Sequence, residues 1–101
     1  MKITWSPLAL ERAGEIVDFI ARENVEAARL IAIELFGAVE RLEKFPESGR
    51  IVPEVNRHNI REIIHGKYRI IYRVDAKQVA ILTVRHVRQQ FPPDEITQLK
   101  P

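Results

Sequence analysis

The chain has 101 residues and no cysteine, and its 16 basic and 14 acidic side chains give a net charge of +2. This length supports one hydrophobic core, and therefore a single domain over residues 1–101, while the missing cysteine excludes disulfide bonds and thiolate metal sites. Because the sequence contains no apolar run of signal-peptide or membrane-span length, we expect a cytoplasmic protein without membrane contact.

The first half of the chain predicts a strand followed by two helices. Lys2–Trp5 alternates polar and apolar residues, as a strand does, and Ser6 followed by a proline is a helix-start signal. Apolar residues then recur at helical spacing to about Arg22, and again from a cap at Asn24 to Lys44. The short connection between the helices requires an antiparallel hairpin.

The large apolar residues of this half fall into two groups. Trp5 and Phe45 are expected in the core. Leu30, Ile33 and Phe36 lie off the apolar stripe of the second helix, so they are expected on its surface.

The second half of the chain predicts an antiparallel sheet. Residues 50–59 lack a clean period and indicate a loop with one edge strand at residues 51–52. Three longer strands are expected at Ile60–His65, Tyr68–Val74 and residues 79–87, with the first strand added at an edge. After Pro92 and Pro93 we expect a short helix or a loose tail. The fold class is therefore α+β, a helical hairpin packed on a small antiparallel sheet.

The charges of the chain are divided unevenly. Residues 1–47 carry six basic and nine acidic side chains, whereas residues 48–101 carry ten basic and five acidic side chains.

Period two places Arg69 and Arg73 on one face of their strand, while Tyr68 and Tyr72 pack against the helices. The strand register decides whether Arg61, Arg85 and Arg88 join this basic surface. Such a surface binds phosphate or carboxylate groups. For any single arginine, the equal alternative is an ordinary charged residue on the solvent-exposed face of a strand.

His86 is the candidate for proton transfer, because imidazole titrates near neutral pH and this one lies among arginines. The commoner alternative is an ordinary hydrogen-bonded histidine of a strand. His58 and His65 have no spacing that indicates a metal site, and no phosphate-binding loop is present. We therefore expect neither a metal nor a cofactor.

Five segments, taken in order, resemble one known family. They are residues 3–9 (ITWSPLA), 42–50 (LEKFPESGR), 61–62 (RE), 68–74 (YRIIYRV) and 84–88 (VRHVR). This arrangement is similar to the RelE/ParE superfamily of small bacterial toxins from type II toxin–antitoxin modules, and most similar to its ParE-like branch. The resemblance implies a helical hairpin on a curved antiparallel sheet.

The resemblance implies different functions for the two branches. ParE-like toxins bind and poison DNA gyrase without chemistry of their own, so no catalytic residue is required. RelE-like toxins cleave mRNA on the ribosome, and Arg61, Arg69 and His86 would then be the catalytic candidates. This chain has no tyrosine after Tyr72 and no lysine cluster before Arg61, which favours the ParE-like function. A third alternative is a degenerate, non-toxic member that only binds its antitoxin.

The resemblance also implies a cognate antitoxin, a small protein with an acidic C-terminal segment. The candidate residues for binding the target or the antitoxin are Arg61, Arg69, Arg73, Arg85, Arg88, Leu30, Ile33 and Phe36. The alternative for the apolar residues is that a loop or tail of the same chain covers them. Replacing Arg69 or Arg73 by alanine is expected to weaken target inhibition and to leave the fold intact.

Overall fold

The computed structural model describes residues 1–89, which form a five-stranded sheet covered on one face by two helices. The strands are β1 (Lys2–Trp5), β2 (Arg50–Ile51), β3 (Ile60–His65), β4 (Tyr68–Val74) and β5 (Gln78–His86). The helices are α1 (Pro7–Ala21) and α2 (Val25–Ala38), and a 3₁₀ turn follows at Glu40–Glu43. The predicted α+β class is confirmed. The tail expected after Pro92 and Pro93 lies outside the described residues.

The order of the strands in the sheet is β1-β5-β4-β3-β2. Strands β2 to β5 pair antiparallel, whereas β1 pairs with β5 in parallel, so the sheet is mixed rather than antiparallel throughout. The predicted edge position of β1 is confirmed. Ser6 fixes this edge, since its N–H donates to Ile81 O and its hydroxyl donates to Leu82 O, each at 2.9 Å.

Side-chain caps begin both helices at the predicted residues. The Ser6 hydroxyl accepts a hydrogen bond from the N–H of Ala9, and the Asn24 side chain accepts one from the N–H of Ala27, both at 3.0 Å. These bonds satisfy amide groups that have no partner within the first helical turn.

The second helix is shorter than predicted. It ends at Ala38 instead of continuing to Lys44, and the chain tightens into the 3₁₀ turn. A 3₁₀ turn is wound more tightly than an α-helix, so its side chains point in different directions from those of a continued helix. Leu42, inside this turn, is fully buried in the core. Phe45 then lies outside with 63% of its surface exposed, so its predicted core position is wrong. Trp5 is partly buried and packs on the ring of Phe36 at 4.5 Å between centroids.

Apolar side chains fill both faces of the sheet. The main core, between the sheet and the helices, contains Ala9, Leu35, Val39, Leu42, Ile63, Ile70, Tyr72, Val79, Ile81 and Val84. A smaller cluster on the second sheet face, which lies away from the helices, contains Val52, Ile60, Ile71, Ala80 and Leu82. Tyr72 pairs with Ile81 and Ile71 with Thr83, so Leu82 is an extra residue in a β-bulge. Among residues 1–89, no helix has the length and apolar character needed to cross a membrane.

Candidate functional site

The register of the sheet separates the predicted arginines. Arg69 and Arg73 lie in β4 on the second sheet face, where Ile71 between them joins the smaller cluster. Arg61 is paired with Tyr72 and therefore lies on the face covered by the helices. Arg61 and Arg69 do not share a surface.

Arg69 is the centre of a buried ion-pair network. It is 6% exposed, and its Nε donates to Glu62 Oε1 at 2.6 Å. Its two terminal nitrogens donate to the carboxylate of Glu54 at 2.7 and 2.8 Å. Arg50 Nε donates to the second oxygen of Glu62 at 2.5 Å. The side chain of Glu62 is fully buried, and the two arginines balance the two glutamates.

The network favours the charged forms of Glu54 and Arg69. The hydrogen bonds from Arg69 lower the pKa of Glu54, and the hydrogen bonds from Glu54 and Glu62 raise the pKa of Arg69. Both groups therefore stay charged at neutral pH. Since carboxylates of the same chain already occupy the guanidinium of Arg69, this side chain holds the loop that carries Glu54 against the sheet.

This ion pair predicts a dependence of stability on pH. The depressed pKa of Glu54 means that its ionised form stabilises the fold above the pKa of an unfolded glutamate, about 4.3. The contribution is lost as the pH falls through the lower pKa of the folded state. We expect the urea midpoint of the wild-type protein to fall between about pH 5 and about pH 3, and to fall less steeply in Glu54→Gln. Equal slopes for the two proteins would contradict this assignment.

The other arginines on β4 and β5 have different environments. Arg73 is 9% exposed, and its Nε and one terminal nitrogen donate to Asp75 at 2.9 and 3.1 Å. Arg85 is paired in the sheet opposite Arg69 and is half-buried. Arg88 is exposed. Of the five predicted arginines, Arg88 is therefore the one most open to an external partner.

Arg61 and Tyr72 together anchor the turn at residues 46–49. Arg61 donates to the carbonyl of Gly49 at 2.9 Å, and the Tyr72 hydroxyl accepts a hydrogen bond from the N–H of Gly49 at 3.0 Å. The same hydroxyl donates to Pro46 O at 2.7 Å, and burial raises its pKa. Sequence reasoning missed this anchor. The signal that could have indicated it is the hydroxyl of Tyr72, which lies between Ile70 and Val74 on the core-facing side of β4.

His86 lies at the far end of the sheet from Arg61. It is paired with Tyr68, which is paired in turn with His65, four residues beyond Arg61 in β3. At about 3.3 Å per residue, this offset places His86 about 13 Å along the sheet from Arg61. Because Arg69 lies on the opposite face, the three predicted catalytic residues are not brought together.

The side of α2 away from the core carries an exposed apolar stripe formed by Leu30, Ile33 and Phe36. Their exposed fractions are 52%, 58% and 44%, which confirms the predicted surface position. Next to Leu30, a mostly apolar groove of about 430 Å³ lies between α2 and the turn that joins β3 to β4. Glu34, His65 and Lys67 also line this groove, and His65 Nε2 lies 3.6 Å from the carboxylate of Glu34. Within residues 1–89, no three histidine or carboxylate side chains form a group that could hold a metal ion.

Comparisons with known proteins agree with this architecture. A family model described as the ParE toxin of the type II toxin–antitoxin system parDE matches residues 3–91. Y4kP, a proposed toxin from Sinorhizobium fredii, is 34% identical over 93 residues, which cover 90% of this chain and 93% of that protein.

Two solved structures share the fold. One comes from the chromosomal ParDE toxin–antitoxin system of P. aeruginosa, with a TM-score of 0.72, 19% identity and coverage of 85% of this chain and 95% of the other. The second comes from the toxin–antitoxin complex RelBE2 of Mycobacterium tuberculosis, with a TM-score of 0.53, 18% identity and coverage of 84% and 95%. The family match and the sequence relative together show that the chain belongs to the ParE toxin family of type II toxin–antitoxin systems.

Proposed function

We propose that this toxin inhibits DNA gyrase by binding it, without catalysing a reaction, and that a cognate antitoxin neutralises it. The observation that supports a binding mechanism is the separation of Arg61, Arg69 and His86. A ribonuclease of this family would need a base, a cation and an acid around one phosphate. Here Arg69 is bound to Glu54 and Glu62 on the opposite sheet face from Arg61.

The gyrase proposal is tested by incubating the purified protein with DNA gyrase, ATP and supercoiled plasmid, and then denaturing the gyrase. We expect linear DNA that depends on both proteins and that disappears when the antitoxin is added first. If no linear product forms while the protein still arrests bacterial growth, the gyrase proposal fails. Arg61, Arg69 and His86 would then be tested in a ribosome-dependent mRNA cleavage assay. Unchanged growth would favour the non-toxic, antitoxin-binding alternative.

The antitoxin proposal rests on the exposed stripe of Leu30, Ile33 and Phe36. Large apolar side chains grouped on one surface mark contact sites, and the neighbouring groove adds an apolar depression that Glu34 and Lys67 also line. A segment with apolar and acidic side chains complements such a surface. Both solved neighbours come from toxin–antitoxin systems, which supports the same kind of partner for this chain.

Replacing Ile33 by aspartate is expected to weaken antitoxin binding at least tenfold, because it places a charge at the centre of the apolar stripe. Ile33 is 58% exposed, so the melting temperature is expected to change little. The matched control is Phe45→Asp, which changes a similarly exposed apolar residue outside α2. The affinity for the cognate antitoxin is measured by calorimetry. Equal affinities for the two variants would remove Ile33 from the antitoxin contact.

A further inference from the structure

Three exposed cations lie at one end of the sheet, where β1, β5 and β3 begin and β4 ends. Lys2 is the first residue of β1, Lys77 lies in the turn between β4 and β5, and Arg57 lies in the loop before β3. These three residues are here called the cationic end. Neighbouring strands are about 4.8 Å apart, so the row from β1 to β3 is about 14 Å long.

The backbone holds the cationic end in place. Lys2 is paired in the sheet with Gln78, which directly follows Lys77. The carbonyl of Arg57 accepts a hydrogen bond at 3.1 Å from the N–H of Ile60, the first residue of β3. The three side chains therefore extend into solvent from fixed positions along the ends of neighbouring strands.

The carboxylates nearest to the cationic end are paired with other side chains. Both oxygens of Asp75 accept hydrogen bonds from Arg73, at 2.9 and 3.1 Å. The carboxylate of Glu47 lies 3.5 Å from both Arg61 and His58. Within residues 1–89, no carboxylate forms an ion pair with any of the three cations of this end.

Two further sets of acidic residues border the cationic end without cancelling its charge. Glu54, in the loop before β3, is bound to Arg69 as described above. The 3₁₀ turn lies beside β1, since Glu43 O accepts a hydrogen bond from the Met1 nitrogen at 2.7 Å. Residues 40–44 carry two acidic and two basic side chains, so their charges balance. The cationic end therefore keeps a surplus of positive charge.

The surface between the three cations is polar. It is formed by Asn59, Ala76 and Gln78, which carry neither a ring nor a large apolar group. Protein partners contact an apolar centre of an interface, and single-stranded nucleic acids stack their bases on aromatic rings. Contacts with the phosphates of a duplex need neither feature, because cations alone supply them.

We propose that the cationic end binds the phosphate backbone of double-stranded DNA without reading its sequence. A length of about 14 Å along a duplex holds about four phosphates of each strand, so each of the three cations can contact one. The groove beside α2 lies next to the turn between β3 and β4, at the opposite end of the sheet. Because a protein that inhibits gyrase by binding it needs no DNA contact of its own, this inference goes beyond the proposed function.

The test measures the fluorescence anisotropy of a labelled duplex of about 20 base pairs with the full chain, at several salt concentrations. We expect saturable binding, with a slope of about −2.7 for the logarithm of the affinity against the logarithm of the salt concentration, as for three phosphate contacts. Lys2→Gln, Arg57→Gln and Lys77→Gln are each expected to reduce this slope by about 1 and to weaken binding about tenfold at about 50 mM salt.

Arg22→Gln is the matched control for Arg57→Gln, because it removes one exposed arginine and changes the net charge equally. Arg22 lies over the ring of Phe19, near the other end of the sheet, so its variant should keep the slope of the wild type. The double variant Arg57→Lys with Lys77→Arg keeps both charges and should bind the duplex as tightly as the wild type.

Three results would overturn the proposal. They are the absence of saturable binding at low salt, an unchanged slope in the three glutamine variants, and an equal change of slope in Arg22→Gln. If polyglutamate displaces the duplex at equal charge concentration and the same three variants weaken its binding, the cationic end belongs to an acidic protein partner instead. Melting curves check that each variant is folded, and the three separate positions keep the test decisive if one variant is not.

Discussion

Replacing Arg69 by alanine is expected to destabilise the fold by about 3 to 5 kcal/mol, because it removes one partner of a buried charge. Glu62 has no exposed side-chain surface and would then face a cavity, with Arg50 as its remaining cation. Glu54 would also lose the two hydrogen bonds that hold its loop against the sheet. Urea unfolding monitored by circular dichroism measures the loss.

Two further variants separate the buried network from surface charge. Arg29→Ala removes an exposed arginine that pairs with Glu26 on α2. It is expected to lower the free energy of unfolding by less than about 1 kcal/mol. The double variant Arg69→Met with Glu62→Met removes both buried charges, and we expect it to recover most of the stability lost in Arg69→Ala. A single Arg69→Ala variant as stable as Arg29→Ala would show that the network contributes little.

This burial revises the sequence-based expectation that Arg69→Ala leaves the fold intact. A loss of toxicity in that variant would report unfolding as readily as a lost contact with the target. Arg88→Ala is the better probe of target binding, because Arg88 is exposed and its side chain supports no element of the fold described above.

The second large effect is expected for Gly49→Ala. A Cβ atom at this position would lie 2.4 Å from the carbonyl oxygen of Glu62 and 2.6 Å from the hydroxyl oxygen of Tyr72. Neither atom can move freely, since one belongs to the backbone of β3 and the other is held by Pro46. We expect a loss of about 3 kcal/mol or more in the free energy of unfolding, from steric overlap and from the broken hydrogen bond to Tyr72.

Gly37→Ala is the matched control for this substitution. Gly37 is exposed in α2, a Cβ atom there meets nothing within 4 Å, and alanine is the better helix former, so stability should rise by up to about 1 kcal/mol. Tyr72→Phe separates the two causes, because it removes the hydroxyl without adding an atom at Gly49. We expect it to cost about 1 to 3 kcal/mol, which is the usual penalty for unsatisfied buried groups. A free energy of unfolding for Gly49→Ala within about 1 kcal/mol of the wild-type value would contradict the close contact of Gly49 with Glu62 and Tyr72.

Local patterns in the sequence predict much of this fold. The bounds of β3 and β4 agree with the prediction, because strand-favouring residues on both sides are interrupted by a glycine-containing turn at residues 66–67. That glycine, Gly66, has a φ of +58°, a conformation that favours glycine. The caps Ser6 and Asn24 were equally predictable, since each acts on a residue three positions away.

The contacts of the candidate site join residues that are distant in the sequence, so local sequence patterns do not predict them. The separation of Arg61 from Arg69 follows from alternation along paired strands whose register was unknown. The partners of Arg69 lie 7 and 15 residues away, and Glu54 belongs to a loop without any period. Basic residues were therefore recognised as a group, but their burial and their acidic partners were not.

The parallel pairing of β1 with β5 has a consequence for the time at which this toxin becomes folded. The two strands are separated by more than 70 residues, so β1 has no partner while the intervening chain is still being synthesised. The α1–α2 hairpin can form early from local contacts, but the sheet beneath it closes only when β5 has left the ribosome. An unfinished chain that lacks β5 therefore lacks the completed sheet, so we expect no folded toxin before β5 has emerged.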